Sequence, residues 1–322
     1  MSIVVTGATG ALGRLVIAAL LERTAPDGIV ALARDRGRAA DLAARGVEVR
    51  IADYSRPGTL RGAFGAGDRV LFISGNEAGR RLPQHRAVVD AAREAGVALL
   101  AYTSVLGGPA ATFAIAEEHV GTEQALLASG VPYCLLRNGW YHENYTGALA
   151  TTLKAGAVLG SAAGGRVASA ARRDYAEAAA VVLTGGGPDP AGHTDAVYEL
   201  SGDTAWTMAE YAAEVSRQTG RAIPSRDLPA EQYVALMTGA GVPAAAAELA
   251  ADADAGIARG ELAATPGDLS RLIGRPTTPL AEAIAQALTS LAAGVWGGGG
   301  RGGGARPTPR RAHRSRHFTP LS

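Results

Sequence analysis

Three glycines recur at three-residue intervals in Thr6-Gly7-Ala8-Thr9-Gly10-Ala11-Leu12-Gly13. The apolar Ile3-Val4-Val5 ahead of them reads as a buried parallel strand. Behind them Leu12, Leu15 or Val16, and Leu20 share one helical face. Strand, tight turn and helix is the geometry in which backbone N–H groups and a helix N-terminus hold a pyrophosphate. Gly7 is expected to make the turn, Gly10 to admit the phosphates, and Gly13 to seat the helix on the sheet. Ala8, Thr9, Ala11 and Leu12 complete the expected contact surface. The spacing is GxxGxxG, not GxGxxG, and no Gly-Lys-Ser/Thr follows, which argues against a P-loop.

The next chemistry-bearing position is Arg34, at the end of the apolar run Ile29–Ala33 and about twenty residues beyond the glycines. An acidic residue there would bind the ribose hydroxyls of NAD, whereas arginine can pair with the 2′-phosphate of NADP. NADPH (NADP+) is therefore the expected cofactor. Asp35 works against that preference, and Arg36 and Arg38 read as solvated helix-start arginines. Asp53 and Tyr54, ending a third strand, are placed to meet the adenine edge or simply to turn the chain. Oxidising an alcohol or epimerising a sugar on such a scaffold usually takes Tyr-x-x-x-Lys on the helix after strand five. The only lysine here is Lys154, with Ala150 four residues before it. If Glu123 marks the usual register, His119 stands for the lysine and Ile115 for the tyrosine, while Ser104 keeps the place of the accompanying serine.

These positions need a scaffold, and the first half of the chain supplies alternating strands and helices. Strands are expected at Ile29–Ala33, 47–52, 69–73, 98–102 and 132–136. Helices are expected at about 37–44, 85–95 and 114–129. Each strand finishes in small or polar residues: Arg34, Asp53-Tyr54, Ser74-Gly75-Asn76, Thr103-Ser104, and Arg137-Asn138-Gly139-Trp140-Tyr141. This predicts an α/β fold, a Rossmann-type doubly wound parallel sheet with a smaller, mainly helical C-terminal lobe. The expected division is 1–144 for the dinucleotide-binding sheet and 145–293 for the lobe, some of whose segments return to the sheet. A disordered Gly/Arg-rich tail follows over 294–322. Asp174 and Thr207 sit where helix N-caps would fall.

Composition narrows the function classes. The 322 residues are 47% hydrophobic, enough for a large core. Cys134 is the single cysteine, so no intramolecular disulfide is available, and a reducing, cytoplasmic location is expected. No basic segment followed by an apolar one opens the chain, and no apolar run is long enough to span a bilayer. Arg301, Arg306, Arg310, Arg311, Arg314 and Arg316 all lie in the tail, so the body has an excess of acids and no electrostatic reason to bind nucleic acid. None of His85, His119, His142 or His193 has a His or Cys neighbour at metal-ligand spacing, and no metal is expected. A homodimer is open to such a chain.

TGATGALG, ARD, ADYS, PQHR, YTSVLG, EEH..TE, LLRNGWYHENY, SGDTAWT and IGRPTTPLAEA together resemble the NmrA-like atypical short-chain dehydrogenases, and among them the bacterial NADPH-dependent quinone reductases. The resemblance covers residues 1 to about 290. It implies a Rossmann domain with a small C-terminal lobe and reduction of quinones by NADPH. It places Gly7 to Leu12, Arg34, Ser74, Gly75, Asn76, Asn138, Gly139, Trp140 and Tyr141 at the cofactor, with Gln84-His85 near the site or merely starting a helix. Two departures are Asp35, for the asparagine of relatives, and Gly107-Gly108-Pro109, which is expected to loosen the loop after strand five. A quinone suits the missing tyrosine, because its reduced oxyanion is a phenolate with a pKa near 10 and needs no dedicated acid. Tyr141, Asn138 and His119 are the candidate hydrogen-bond donors. For each a packing or capping role is the alternative. The competing function is a non-catalytic NADP(H) sensor that binds a protein partner.

Overall fold

The computed structural model describes residues 1–77, 79–187 and 192–294, so the expected tail lies, beyond Gly294, outside the described residues. The chain opens with β1 (Ile3–Val5), α1 (Ala11–Leu21), β2 (Ile29–Ala33), α2 (Ala40–Ala43) and β3 (Glu48–Ile51). Then come β4 (Arg69–Phe72), α3 (Arg81–Ala95), β5 (Leu99–Val105), α4 (Ile115–Ser129) and β6 (Tyr133–Asn138). It continues through α5 (Glu143–Thr146), α6 (Leu149–Ala155), β7 (Val158–Gly160), β8 (Arg166–Val167), α7 (Arg172–Thr184) and β9 (Ala196–Leu200). β10 (Trp206–Thr207), α8 (Met208–Thr219), β11 (Ser225–Asp227), α9 (Ala230–Gly239), α10 (Ala244–Ala258), α11 (Asp268–Ile273) and α12 (Leu280–Ala292) complete it.

Seven strands make one parallel sheet in the order β3-β2-β1-β4-β5-β6-β9. The chain runs outward from β1 in one direction, then crosses to β4 and runs outward in the other. That reversal leaves a crevice above the carboxyl ends of β1 and β4, where doubly wound sheets take their ligands. Val5, Val16, Ile17, Leu20 and Leu71 pack one face of the sheet together with α7, and Val4, Val30, Phe72, Val88 and Tyr102 pack the other with α3 and α4. A third core around Phe113, Leu149, Trp206, Tyr211, Ile257 and Ile284 belongs to the lobe.

Several expectations need correction. The strands expected to stop at Tyr102 and Leu136 run on to Val105 and Asn138, because β5 and β6 are paired on both sides and their polar ends stay in the ladder, with Ser104 opposite Arg137 and Asn138 opposite Leu200. The helix expected over 37–44 is a 3-10 turn at Gly37–Ala39 followed by one α turn. Thr207 does cap α8, in a reciprocal box with Glu210 (3.2 and 2.7 Å). Asp174 is not a cap: α7 starts two residues earlier, at Arg172, with Ala171 at the N-cap position. The Asp174 carboxylate is fully buried and accepts from the Thr278 N–H (2.8 Å), the Thr278 hydroxyl (2.9 Å) and Arg275 (2.8 Å). Beside it Asp203 and Thr277 exchange hydrogen bonds of 2.7 and 2.9 Å. The 275–278 segment is thereby riveted onto α7.

Candidate active site

The turn after β1 is built from backbone. Gly7 has φ of +58°, a left-handed conformation that suits glycine, and its carbonyl accepts from the Gly10 N–H (2.9 Å). A Cβ on Gly13 would lie 2.4 Å from the Gly7 oxygen and 2.8 Å from the Ala8 Cα, so any side chain there would force α1 off the sheet. Gly10 is the N-cap of α1. No side chain caps it, and no acid stands in the first turn. The helix therefore offers its first N–H groups and the positive end of its dipole to an anion. Thr9, Gly10, Ala11, Leu12 and Gly13 line the cleft here with Gly7, but Ala8 lies buried beneath, its N–H given to the Leu32 carbonyl (3.2 Å).

The same cleft continues over Arg34, Asp53, Tyr54, Ser74, Gly75 and Asn76. Arg34 is 61% exposed, and its guanidinium stands 3.6 Å from Glu77 across the mouth. Asp35 is turned away, since its carboxylate accepts from the Arg38 N–H (3.0 Å) and stabilises the 3-10 turn. Arg38, which reads as a solvated arginine, in fact lines the cleft. Asp53 closes its own turn through the Ser55 N–H (2.9 Å). Burial works to raise its carboxyl, but Ser55 and Arg56 outweigh it and hold the group below the usual range. The Tyr54 hydroxyl donates to the Ile73 carbonyl (3.2 Å). The loop after β4 is braced from below: the Ser74 N–H donates to Thr103 (2.9 Å), the Gly75 N–H to His85 Nε2 (2.9 Å), and Arg81 Nε to the Gly75 carbonyl (2.7 Å). Gln84 lines the cleft and donates to Ser55 (3.1 Å) and Glu77 (3.0 Å).

Asn138, Gly139, Trp140, Tyr141 and His119 are not among the lining residues of that cleft. They cluster at the carboxyl end of β6 and on α4, where side chains interlock. Asn138 is 7% exposed, and its Oδ1 has no partner among the described residues. The Gly139 N–H donates to the Leu200 carbonyl (2.7 Å). Trp140 packs on the lobe core, while Tyr141 packs on the sheet core with its ring edge-on to Tyr175 (5.1 Å) and Arg172 over its face (4.6 Å). Burial raises the Tyr141 hydroxyl above its ordinary value, against the opposing effect of the Asn138 amide. His119 is 5% exposed, its Nδ1 lies 2.8 Å from the Tyr102 hydroxyl, and burial with the nearby Arg81 charge pushes it down to about 3. Ser104 donates to Glu123 (2.6 Å), which also receives Arg137 (2.7 and 2.9 Å), and Ile115 packs on the lobe core. The loop expected to be loose at Gly107-Gly108 is pinned. Gly107 N–H donates to Glu199 (2.8 Å), and a Cβ on Gly108 would meet the Arg137 guanidinium at 2.3 Å.

Glu77, Ser55 and Arg38 at the cleft, and Tyr102 and His85 beneath it, were not singled out as site residues by type and spacing. Isolated loop charges and buried aromatics carry no such signal. The free N–H groups of α1, the close fit at Gly13 and the orphaned Asn138 oxygen suit a nicotinamide dinucleotide. The comparisons agree with that fit. The NAD(P)H-binding family profile matches residues 7–194. Quinone oxidoreductase 2 of Escherichia coli is 43% identical over 282 residues, 88% of this chain and 97% of that protein. The crystal structure of the E. coli NADPH-dependent quinone oxidoreductase complexed with NADPH superposes with a TM-score of 0.85, covering 89% of this chain and 99% of that one. The Citrobacter sp. triphenylmethane reductase complexed with NADP(H) is 38% identical, with a TM-score of 0.84 over 89% and 100% of the two chains. With its Rossmann sheet and backbone-built phosphate turn, the chain belongs to the NAD(P)H-binding family, in its NmrA-like reductase branch.

Proposed function

We propose that this chain is an oxidoreductase that reduces quinones with NADPH by direct hydride transfer. The observation that carries the reading is the likeness to the E. coli quinone oxidoreductase at 43% identity over nearly its whole length, in a chain without Tyr-x-x-x-Lys. Gly7, Gly10 and the first N–H groups of α1 hold the pyrophosphate, and Arg34 meets the 2′-phosphate after parting from Glu77. Ser74, Gly75 and Asn76 steer the middle of the dinucleotide. NADPH supplies the hydride when bound. The Asn138 Oδ1 accepts from an amide that reaches it, Tyr141 and His119 donate to the acceptor's oxygen, and the packed β6 end keeps water out. The quinone takes up one hydride, and the resulting phenolate, with a pKa near 10, takes one proton from water to give the hydroquinone. We infer a reducing cytoplasmic setting from the single cysteine. Residues 1–144 supply the cofactor half and 145–293 the substrate half, and a homodimer remains compatible with both. No helix among the described residues is long and apolar enough to cross a membrane.

The sensor reading is not favoured, because the named relatives are reductases along most of this chain. The test is NADPH consumption by purified protein against a panel of quinones, with NADH in parallel. Rapid oxidation of NADPH that requires a quinone is expected. Binding of NADPH with no turnover of any quinone would return the protein to the sensor class.

A further inference from the structure

Beneath the loop after β4, the shortest contacts in a chain of hydrogen bonds favour one set of directions, and it begins at a group that can only donate. The Gly75 N–H points at His85 Nε2 (2.9 Å), so that nitrogen is an acceptor. His85 is fully buried and pushed down to about 3 by burial, the neighbouring His119 and Arg81, so it is neutral and its one hydrogen is on Nδ1. Nδ1 lies 2.9 Å from the Thr122 hydroxyl, which spends its own hydrogen on the Glu118 carbonyl (2.8 Å) and therefore accepts from the histidine. The Tyr102 hydroxyl, 3.5 Å from the same Nδ1–H, can only accept there. Its hydrogen goes to His119 Nδ1, at 2.8 Å. Reversing that bond would turn the hydroxyl hydrogen towards Thr122, whose oxygen already receives the His85 Nδ1–H, in place of the His119 nitrogen at 2.8 Å. Neutral His119 then carries its hydrogen on Nε2, and that nitrogen has no hydrogen-bond partner among the described residues.

We propose that Tyr102 and His85 are positioning residues that hold His119 as its Nε2–H tautomer, a neutral hydrogen-bond donor to the quinone oxygen on which negative charge develops. The inference rests on the quinone-reductase reading above. The donor keeps its hydrogen throughout, since an imidazolate would be the product of giving it up. The hydroquinone oxygen takes its proton from water, which balances one hydride and one proton added to the quinone. Because the series starts at the backbone of Gly75, which lines the cofactor cleft, the state of the cofactor loop and the tautomer of His119 are tied together.

The test reads the tautomer directly. Full-length protein labelled with ¹⁵N histidine gives long-range imidazole ¹H–¹⁵N correlations, and the loss of one set in His119→Gln assigns His119. Between pH 6 and 8 the expected pattern is Nε2–H for His119 and Nδ1–H for His85. In Tyr102→Phe the His119 pattern should become a tautomer mixture, with kcat for quinone falling about fivefold to tenfold and KM nearly unchanged. An Nδ1–H or doubly protonated His119 in an active quinone reductase would overturn the inference and leave the function standing. An Nε2–H pattern in a protein that reduces no quinone would overturn the function and the donor role with it. An unchanged tautomer in folded Tyr102→Phe would remove Tyr102 from the scheme.

Discussion

Where β1, β2 and β4 end, the cleft is open and made largely of main chain: a left-handed glycine, uncapped helix N–H groups, and a loop whose amides are held from below. Where β5 and β6 end, the molecule is closed and made of side chains, with Ser104, Glu123, Arg137 and Glu199 in one charged cluster and Tyr102 and His119 in a second, neutral one. The difference follows from what each end must recognise. A pyrophosphate is met by dipoles that any backbone supplies, so only steric room has to be encoded. An acceptor molecule is met by a few donors at fixed angles, and those donors are fixed by packing around them.

The largest effect should come from violating the steric room. Gly13→Ala puts a methyl group against backbone that cannot move aside, and a loss of about 3 kcal/mol or more in stability is expected, with NADPH binding lost too. Thermal melting and cofactor titration would show it. Gly10→Ala should be the milder of the two, since a Cβ there meets only the Gly7 oxygen, at 3.2 Å, and near-normal binding by Gly13→Ala would undo the contrast between the two ends.

The closed end should fail first in acid. His85 and His119 are held neutral to about pH 3 in the folded protein, against about 6.5 in an unfolded chain. The unfolded state therefore binds more protons between those values. Stability is full above pH 6.5 and falls as the pH is lowered towards 3, by about 2 kcal/mol per histidine between pH 7 and 5. Melting curves over that range should slope downward, more gently in His119→Gln. A flat profile would mean that the two rings are solvated.

At the open end, Arg34→Ala should weaken NADPH by about 1–3 kcal/mol and leave NADH nearly unchanged. An equal loss for both nucleotides would assign Arg34 to folding. Tyr141→Phe should lower turnover by about tenfold, on the order of 1.4 kcal/mol, if its hydroxyl orients the acceptor. A drop of several thousandfold would make it a proton donor instead. The smallest change is expected from Glu77→Gln. With its exposed pair to Arg34 gone, NADPH should bind about twofold tighter, the scale of a surface ion pair. Weaker binding would show that Glu77 itself holds the cofactor.

The same contrast explains what was legible in the sequence. Gly7, Gly10 and Gly13 can be read because a tight turn and a close helix demand glycine at fixed intervals, and the apolar runs of β1, β2 and β4 follow from burial on both faces. Arg34 was legible from its distance along the chain. Glu77 was not, because its meeting with Arg34 depends on two loops that lie together only in the folded sheet. Tyr102 was hidden for the same reason, since it looks like core; His85 could be read either as near the site or as a helix start, and only the contacts with His119 and Gly75 give the two a role. SGDT and GRPTTP stood out as family motifs, yet their purpose appears only in the bonds of Asp203, Thr277, Thr278 and Arg275. Asp174 was misread because its helix begins before the polar residue that looked like the cap.

Those bonds also bear on how the chain is made. Asp174 leaves the ribosome about a hundred residues before Arg275 and Thr278, and its carboxylate has no other hydrogen-bond partner among the described residues. Until the later segment emerges, that carboxylate lacks its three hydrogen bonds, and the start of α7 lacks the segment bonded to it. The seat of α7 is therefore completed only by the far end of the lobe. Nascent chains arrested near residue 264 should be protease-sensitive in α7, and those arrested far enough beyond 278 to clear the exit tunnel should be resistant.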